Sequence, residues 1–362
     1  LSASPVRRIL IAPLDWGLGH TTRCVPVIRR LVNAKREVVF AGNDVQKTFI
    51  TATFPGIRCL DLPGYGVKYS AGRFLPNILR QIPKILSRIR HEHRWLLKIA
   101  DQEGIDAVIS DNRYGLWHPR IPSVILTHQA SPITALGPKA DALFRRLHYR
   151  MLERFSETWL VDVPGTPNLS GKLAHPPKLP HNSRYIGLLS QLELSEPLTD
   201  QNYVLILLSG PEPQRTILAD ALWQQACALP DRQFIFVEGR ADAVRRSIPS
   251  NIRHFPRATT AQLQHILAGA SIVVCRSGYS SLMDLALFGK RAILIPTPGQ
   301  TEQEYLAWKL EVDGIFMQYQ PRRFDLSTAL EVTADFRFGS AAAPADFRLF
   351  ETVLDEWIHN RS

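Results

Sequence analysis

Short apolar runs alternate with stretches of helical periodicity along this chain, and the alternation occurs twice. In the first half, Arg8–Pro13 is a short apolar run closed by glycine-rich residues, which predicts a strand buried on both faces. Arg23–Ala34 follows with Val27, Ile28, Leu31 and Val32 at helical spacing. Glu37–Ala41, Ala107–Ser110, Ser123–Thr127 and Thr158–Val161 are further β-like runs, most of them ended by turn-forming or polar residues. This order predicts a doubly wound α/β domain over residues 1–165. Residues 163–200 then gather Pro164, Pro167, Pro176, Pro177, Pro180 and Pro197 with Gly165, Gly171 and Gly187, and predict a linker over 166–200. The second half restarts the pattern. Tyr203–Ser209, Gln233–Val237, Ser271–Cys275 and Ala292–Pro296 read as strands. Arg215–Ala228, Gln262–Ala268, Ser280–Phe288 and Glu302–Glu311 read as helices, giving a second domain over 201–340. The last periodic stretch, Phe347–Ile358, predicts a C-terminal helix within 341–362 that packs back on the first domain.

Composition narrows the class. A length of 362 residues suits two ordinary domains, and 45% hydrophobic residues suffice for two cores. No apolar run reaches the roughly 18 residues that span a bilayer, and no secretory leader is recognisable. Cys24, Cys59, Cys227 and Cys275 show neither disulfide nor metal-ligand spacing, so a reducing, cytoplasmic setting is the expectation. The charge is uneven. Residues 1–165 hold 24 Lys/Arg against 13 Asp/Glu, so the net +10 of the whole chain comes from the first half. Such a surface concentrates anionic partners. It matches no recognisable nucleic-acid-binding module, so nucleic acid is not expected.

Candidate chemistry clusters where apolar runs end. Trp16-Gly17-Leu18-Gly19-His20-Thr21-Thr22-Arg23 lies between the first strand and the first helix, at the carboxyl edge of the sheet where open α/β folds bind ligands. Gly17 and Gly19 allow close approach of backbone to a ligand, while Thr22 replaces the third glycine of a dinucleotide fingerprint. His20 at a helix N-terminus is held neutral and able to accept a proton. Asp111-Asn112-Arg113-Tyr114 ends another buried strand on the same edge, so Asp111 could orient His20; capping of the next segment is the alternative. Thr127-His128-Gln129 closes the next strand. In the second half, Ser209-Gly210-Pro211-Glu212 with Arg215 forms a strand-to-helix turn that could hold an anion. Arg276-Ser277-Gly278 opens a helix that carries Asp284, and Gln300, Glu302 and Gln303 lie on the next strand-to-helix loop.

The stretch 275–305 resembles the donor-binding half of glycosyltransferase family 28, the MurG-like transferases, and Gly17-Leu18-Gly19-His20 resembles the glycine-rich loop of their acceptor domain. The resemblance implies a GT-B architecture: two facing Rossmann-like domains with a cleft between them. It implies that Arg276, Ser277 and Gly278 take the phosphates, Asp284 the ribose and Gln303 the sugar, with the backbone near Phe255 at the base. Ser209, Gly210, Arg215, Gln300 and Glu302 complete the donor side; Gly17, Gly19, Arg23, Arg113 and His128 form the acceptor side. The implied activity is inverting transfer from a UDP-sugar to a lipid-linked or other cell-envelope acceptor, with His20 and Asp111 catalytic. The Gly-x-Gly-His-x-x-Arg form, completed by Arg23, also resembles PseG-type UDP-sugar hydrolases, which gives hydrolysis as the alternative. A non-catalytic sugar-nucleotide-binding subunit is a third reading.

No Asp-x-Asp triplet and no cluster with metal-ligand spacing occurs, so no metal and no cofactor beyond the donor is expected. Residues 73–98 interleave Arg73, Arg80, Lys84, Arg88, Arg90, Arg94 and Lys98 with a helical apolar stripe, with Glu92 as the lone acid and Pro83 placed to kink or divide the helix. This composition suits an anionic membrane surface, and so a peripheral protein of the inner membrane face. An ordinary helix with a solvated basic face is the alternative.

Overall fold

The computed structural model describes residues 7–66, 74–134, 136–194, 200–240, 247–321 and 324–359. They fall into two compact units, one within 1–68, 75–191 and 344–362, the other within 192–343.

The first unit runs β1 (Arg8–Pro13), α1 (Gly19–Asn33), β2 (Glu37–Gly42), α2 (Asp44–Thr53), β3 (Arg58–Asp61), α3 (Phe74–Glu103), β4 (Ala107–Asp111), β5 (Ser123–Thr127), α4 (Pro138–Leu152), β6 (Glu157–Leu160) and β7 (Ser183–Tyr185). The strands form one parallel sheet in the order β3-β2-β1-β4-β5-β6-β7. Strand order reverses between β1 and β4, so a crevice opens at their carboxyl ends, the topological switch point of such sheets. Ile9, Leu10 and Ile11 of β1 and Val108 and Ile109 of β4 are fully buried, as expected for strands covered on both faces.

The second unit runs β8 (Tyr203–Leu207), α5 (Gln214–Cys227), β9 (Gln233–Val237), β10 (Ile252–Phe255), α6 (Thr260–Gly269), β11 (Ala270–Cys275), α7 (Tyr279–Leu287), β12 (Ala292–Leu294), α8 (Thr301–Val312), β13 (Met317–Gln318) and α9 (Leu326–Val332). Its parallel sheet has the order β10-β9-β8-β11-β12-β13, with its switch point between β8 and β11. Each unit is therefore a Rossmann-like α/β domain of the kind the sequence predicts.

The stretch expected as a linker differs. Residues 166–191 belong to the first unit, because β7 adds to the edge of its sheet beside β6. Prolines and glycines mark turns here, and the apolar Leu169, Leu173, Ile186, Leu188 and Leu189 are buried against that unit. Pro197, counted in the same stretch, lies outside the described residues. Pro83 does not divide α3, which is helical from Phe74 to Glu103. Arg73 and the side chains of 74–79 lie outside the described part.

The C-terminal helix α10 (Leu349–His359) packs on the first unit. Arg30 of α1 pairs with Asp355, and Trp357 meets Trp159 edge-on with ring centroids 5.6 Å apart. The approach to α10 needs Gly187 (φ +78°), because a Cβ there would lie 2.1 Å from the Asp346 carbonyl oxygen. Trp357 is 2% exposed, so Trp357→Ala should cost about 3–5 kcal/mol in urea unfolding. Trp308→Ala, on the exposed face of α8, should change stability by less than about 0.5 kcal/mol.

Candidate functional site

The β1–α1 loop is fixed from below. Gln46 is buried, and its Nε2 donates to the Leu14 carbonyl oxygen and to Thr21 Oγ1, each at 3.0 Å. The loop turns at Gly17 (φ +87°), where space is open, and the helix starts at Gly19. This brings His20 to the crevice beside the end of β4. Pro13 of β1 is in register with Asp111, which ends β4.

Four side chains meet there. His20 Nδ1 lies 3.1 Å from Asp111 Oδ1. Arg23 Nε donates to Asp111 Oδ2 at 2.9 Å, and Arg23 Nη2 donates to Oδ1. Arg23 Nη2 also lies 3.0 Å from His20 Nδ1, and Arg23 Nη1 lies 3.0 Å from His128 Nδ1. Asp111 and Arg23 are buried at 0% and 1% side-chain exposure, whereas His20 keeps 18%. Burial alone would raise the Asp111 carboxyl, but the opposing charge of Arg23 and the contact with His20 win and hold it at about 2. Ionised Asp111 therefore stabilises the fold above its ordinary value of 3.8, and that contribution is lost as the pH falls toward 2.

The acceptor-side expectations divide. Gly17, Gly19 and His128 sit on this edge with His20. Arg23 is inside it, as the ion-pair partner of Asp111. Arg113 points away from the crevice. It is fully buried, and donates to the Pro13 carbonyl oxygen at 2.8 Å and to Glu92 Oε1 at 2.8 Å. Tyr65 donates its hydroxyl to Glu92 Oε2 at 2.8 Å. This buried trio ties α3 to the end of β1 and was not anticipated. The signal was present, since Glu92 falls on the apolar stripe between Ile89 and Leu96. A carboxylate there needs a partner.

In the second unit the donor-side residues lie at strand ends or in the loops and helices that follow them. Ser209 and Gly210 follow β8 and are exposed. Arg215, in the first turn of α5, donates to Glu212 Oε1 at 2.7 Å and to the Gly239 carbonyl oxygen at 2.8 Å. Phe255 ends β10, and its carbonyl oxygen accepts from the Glu238 amide at 3.2 Å. Arg276 follows β11 and is 3% exposed. Its guanidinium donates to the carbonyl oxygens of Ile295, Pro296 and Gln214, which laces β11, the end of β12 and the start of α5 across the switch point. Burial pushes Arg276 down to about 10. Ser277 Oγ donates to the Gln303 carbonyl oxygen at 2.7 Å, and Gln303 Oε1 accepts from the Thr297 amide at 2.9 Å. Gly278 is the N-cap of α7, which carries Asp284, half-buried, in its second turn. Gln300 is the N-cap of α8 and Glu302 is in its first turn. Arg276, Ser277 and Gln303 thus hold two strand-to-helix loops together, with the α7 N-terminus opening between them. Among the described residues no group of three His, Cys, Asp or Glu could hold a metal ion, and no helix is long and apolar enough to cross a membrane.

Comparison with known proteins agrees with this layout. Residues 250–338 match the glycosyltransferase family 28 C-terminal domain. An uncharacterised glycosyltransferase of Methanosarcina acetivorans is 23% identical over 332 residues, covering 85% of this chain and 82% of the relative. MurG of Acinetobacter baumannii is similar in structure with a TM-score of 0.54 at 15% identity, covering 98% of this chain and 94% of its own. The Streptomyces sp. SF2575 glycosyltransferase SsfS6, solved with thymidine diphosphate, has a TM-score of 0.61 at 14% identity, covering 98% and 99%.

Glu92 gives a pH signature. Burial outweighs its bonds from Arg113 and Tyr65 and raises its carboxyl from 4.5 to about 7. The unfolded chain is then the first to release that proton, so its contribution to stability is complete below 4.5 and is lost as the pH rises to 7. In urea unfolding at a series of pH values, Glu92→Gln should remove that part of the decline while wild type keeps it. Residues 250–338 of the second unit thus match the family 28 C-terminal domain, and the chain as a whole has the fold of the GT-B glycosyltransferases.

Proposed function

We propose that this glycosyltransferase moves a hexose or N-acetylhexosamine from a UDP-sugar to a hydroxyl of a lipid-linked or other cell-envelope acceptor, with inversion and without a metal. The observation that carries this reading is His20, exposed on one side and held on the other by a buried, ionised Asp111. In this reaction His20 Nε2 takes the proton of the acceptor hydroxyl as its oxygen attacks the anomeric carbon. Nδ1–H donates to Asp111, which stabilises the imidazolium formed. The nucleoside diphosphate leaves with the electron pair of the broken bond. The main-chain amides that open α7 after Ser277-Gly278 face the developing charge, helped by the positive end of the helix. Arg276 keeps that loop in place through its three carbonyl contacts. Asp284 would accept from the ribose, and Gln303, Gln300 and Glu302 would meet the sugar.

The acceptor partner is read from the first unit's surface. Arg80, Lys84, Arg88, Arg90, Arg94 and Lys98 of α3 are exposed, and so is Leu86. On α4, Leu143 and Leu147 are exposed beside Arg146 and Arg150. Apolar side chains set among cations suit an anionic lipid surface at the cytoplasmic face of a membrane. One observation favours hydrolysis as a second reading: Arg23 completes the Gly-x-Gly-His-x-x-Arg pattern and stands in contact with the base.

A panel of UDP- and TDP-sugars, with and without lipid extract, separates these readings. Transfer predicts nucleoside diphosphate release, with the sugar bound to an acceptor, that depends on the extract, whereas free sugar from donor alone favours hydrolysis. His20→Ala should lower turnover about 10²- to 10⁴-fold with donor affinity within about twofold of wild type. Unchanged turnover removes His20 from the reaction.

A further inference from the structure

Arg23 stands where three hydrogen-bonding groups converge. A guanidinium only donates and a carboxylate only accepts. Asp111 takes two parallel bonds from Arg23, through Nε to Oδ2 and Nη2 to Oδ1, the bidentate geometry that fixes a carboxylate plane. His128 Nδ1, 3.0 Å from Arg23 Nη1, can only accept there, so the proton of neutral His128 is on Nε2, and the Gln129 amide 3.3 Å from Nε2 must turn its oxygen toward it. His20 Nδ1 lies 3.1 Å from an acceptor, Asp111 Oδ1, and 3.0 Å from a donor, Arg23 Nη2. One ring nitrogen cannot serve both at once. With hydrogen on Nδ1 it donates to Asp111 and leaves the Nε2 lone pair free. With hydrogen on Nε2, Nδ1 accepts from Arg23.

We propose that Arg23 is a positioning residue for His20: it clamps the Asp111 carboxylate in line with the ring and offers Nη2 to the same nitrogen, so His20 is held in one place whichever nitrogen carries its proton. A histidine facing a carboxylate alone has a partner for Nδ1 in one neutral form only. Here both forms have one, and the ring stays aimed through a full cycle of taking and returning a proton. The arrangement also sets charge. The Asp111 carboxylate is shared between a permanent cation and the ring, so an imidazolium at His20 gains less from it than it would in a simple pair. The groups that face this cluster are Asp111 at the end of β4, Arg23 on α1 and His128 beyond β5. Cys24 and Tyr114 sense the same ion pair, and burial followed by the Asp111 charge raises both, so they stay neutral. Arg23 itself is buried, and Thr22 precedes it where a dinucleotide loop would have glycine.

Two substitutions should move the His20 titration in opposite directions, which a loss of packing alone would not do. In long-range proton–nitrogen correlation spectra of the labelled full chain, Arg23→Gln, which removes a cation beside the ring, should raise the His20 midpoint, and Asp111→Asn, which removes the anion, should lower it. Arg23→Lys keeps a cation and should stay closer to wild type than Arg23→Gln. His175, whose partners are Asp162 and Tyr185, should not move and serves as the internal control. An unchanged or lowered midpoint in Arg23→Gln overturns the proposal. The unmodified protein gives an independent reading should a variant fail to fold: neutral His128 must carry its proton on Nε2, and a proton on Nδ1 overturns the Arg23 contact. The kinetic consequence, a shift of the acid limb of kcat/KM with a UDP-sugar, rests on His20 being the base. If the midpoint moves and the limb does not, Arg23 holds its place in this proposal and the base assignment falls.

Discussion

A buried ion pair at a strand switch point organises the first unit. Asp111 ends β4 with no exposed surface, and an isolated carboxylate there would be costly to ionise. Arg23, from the first turns of α1, makes ionisation favourable by meeting it with two parallel bonds. Breaking such a pair by removing one partner typically costs about 3–5 kcal/mol, because it leaves the other charge buried and uncompensated. The pair therefore does two things with one contact. It fastens α1 to the far side of the crevice, and it fixes the carboxylate against which His20 is oriented. Gln46 from below and Arg113 with Glu92 from the side hold the two loops that carry these groups.

The second unit solves a related problem with the opposite sign. Its loops after β8, β11 and β12 need a fixed shape at the carboxyl edge of the sheet. Arg276 supplies this from beneath by bonding three carbonyl oxygens, and Ser277 and Gln303 bond the adjoining loop to it. The charge of Arg276 is thereby spent on main chain, and the α7 N-terminus is left to face outward. At the α5 N-terminus, Glu212 meets both Arg215 and the Thr216 amide, so that end of the site is already matched to a carboxylate.

Strands covered on both faces are legible because they must be apolar throughout, and β1, β4, β5, β8, β9 and β11 lie where their apolar runs predict them. Glycine and a polar residue after a strand mark the carboxyl edge, which is why His20, Asp111 and His128 could be named together. Contacts distant in sequence left weaker traces. Arg23 and Asp111 are 88 residues apart, and nothing local distinguishes an arginine aimed at a ligand from one aimed at a buried carboxylate. Arg276, a phosphate contact by the family resemblance, bonds carbonyl oxygens 19 to 62 residues away, which nothing local announces. The stretch from 166 to 191 was read by its prolines and glycines as a linker, although its scattered leucines and isoleucines were the better guide to burial. β3, β10 and β13 are short strands in the outer part of their sheets, with less apolar content to announce them.

In the proposed reaction His20 activates an oxygen nucleophile for a single displacement at the anomeric carbon. Stereochemistry tests it most directly, and it does so whether the nucleophile is an acceptor hydroxyl or water. The protein would be mixed with α-linked UDP-sugars and lipid extract, and the anomeric proton of the first-formed product followed by nuclear magnetic resonance before mutarotation. Direct displacement predicts the β-anomer. An α-anomer as the first product would contradict the role given to His20, Asp111 and Arg23.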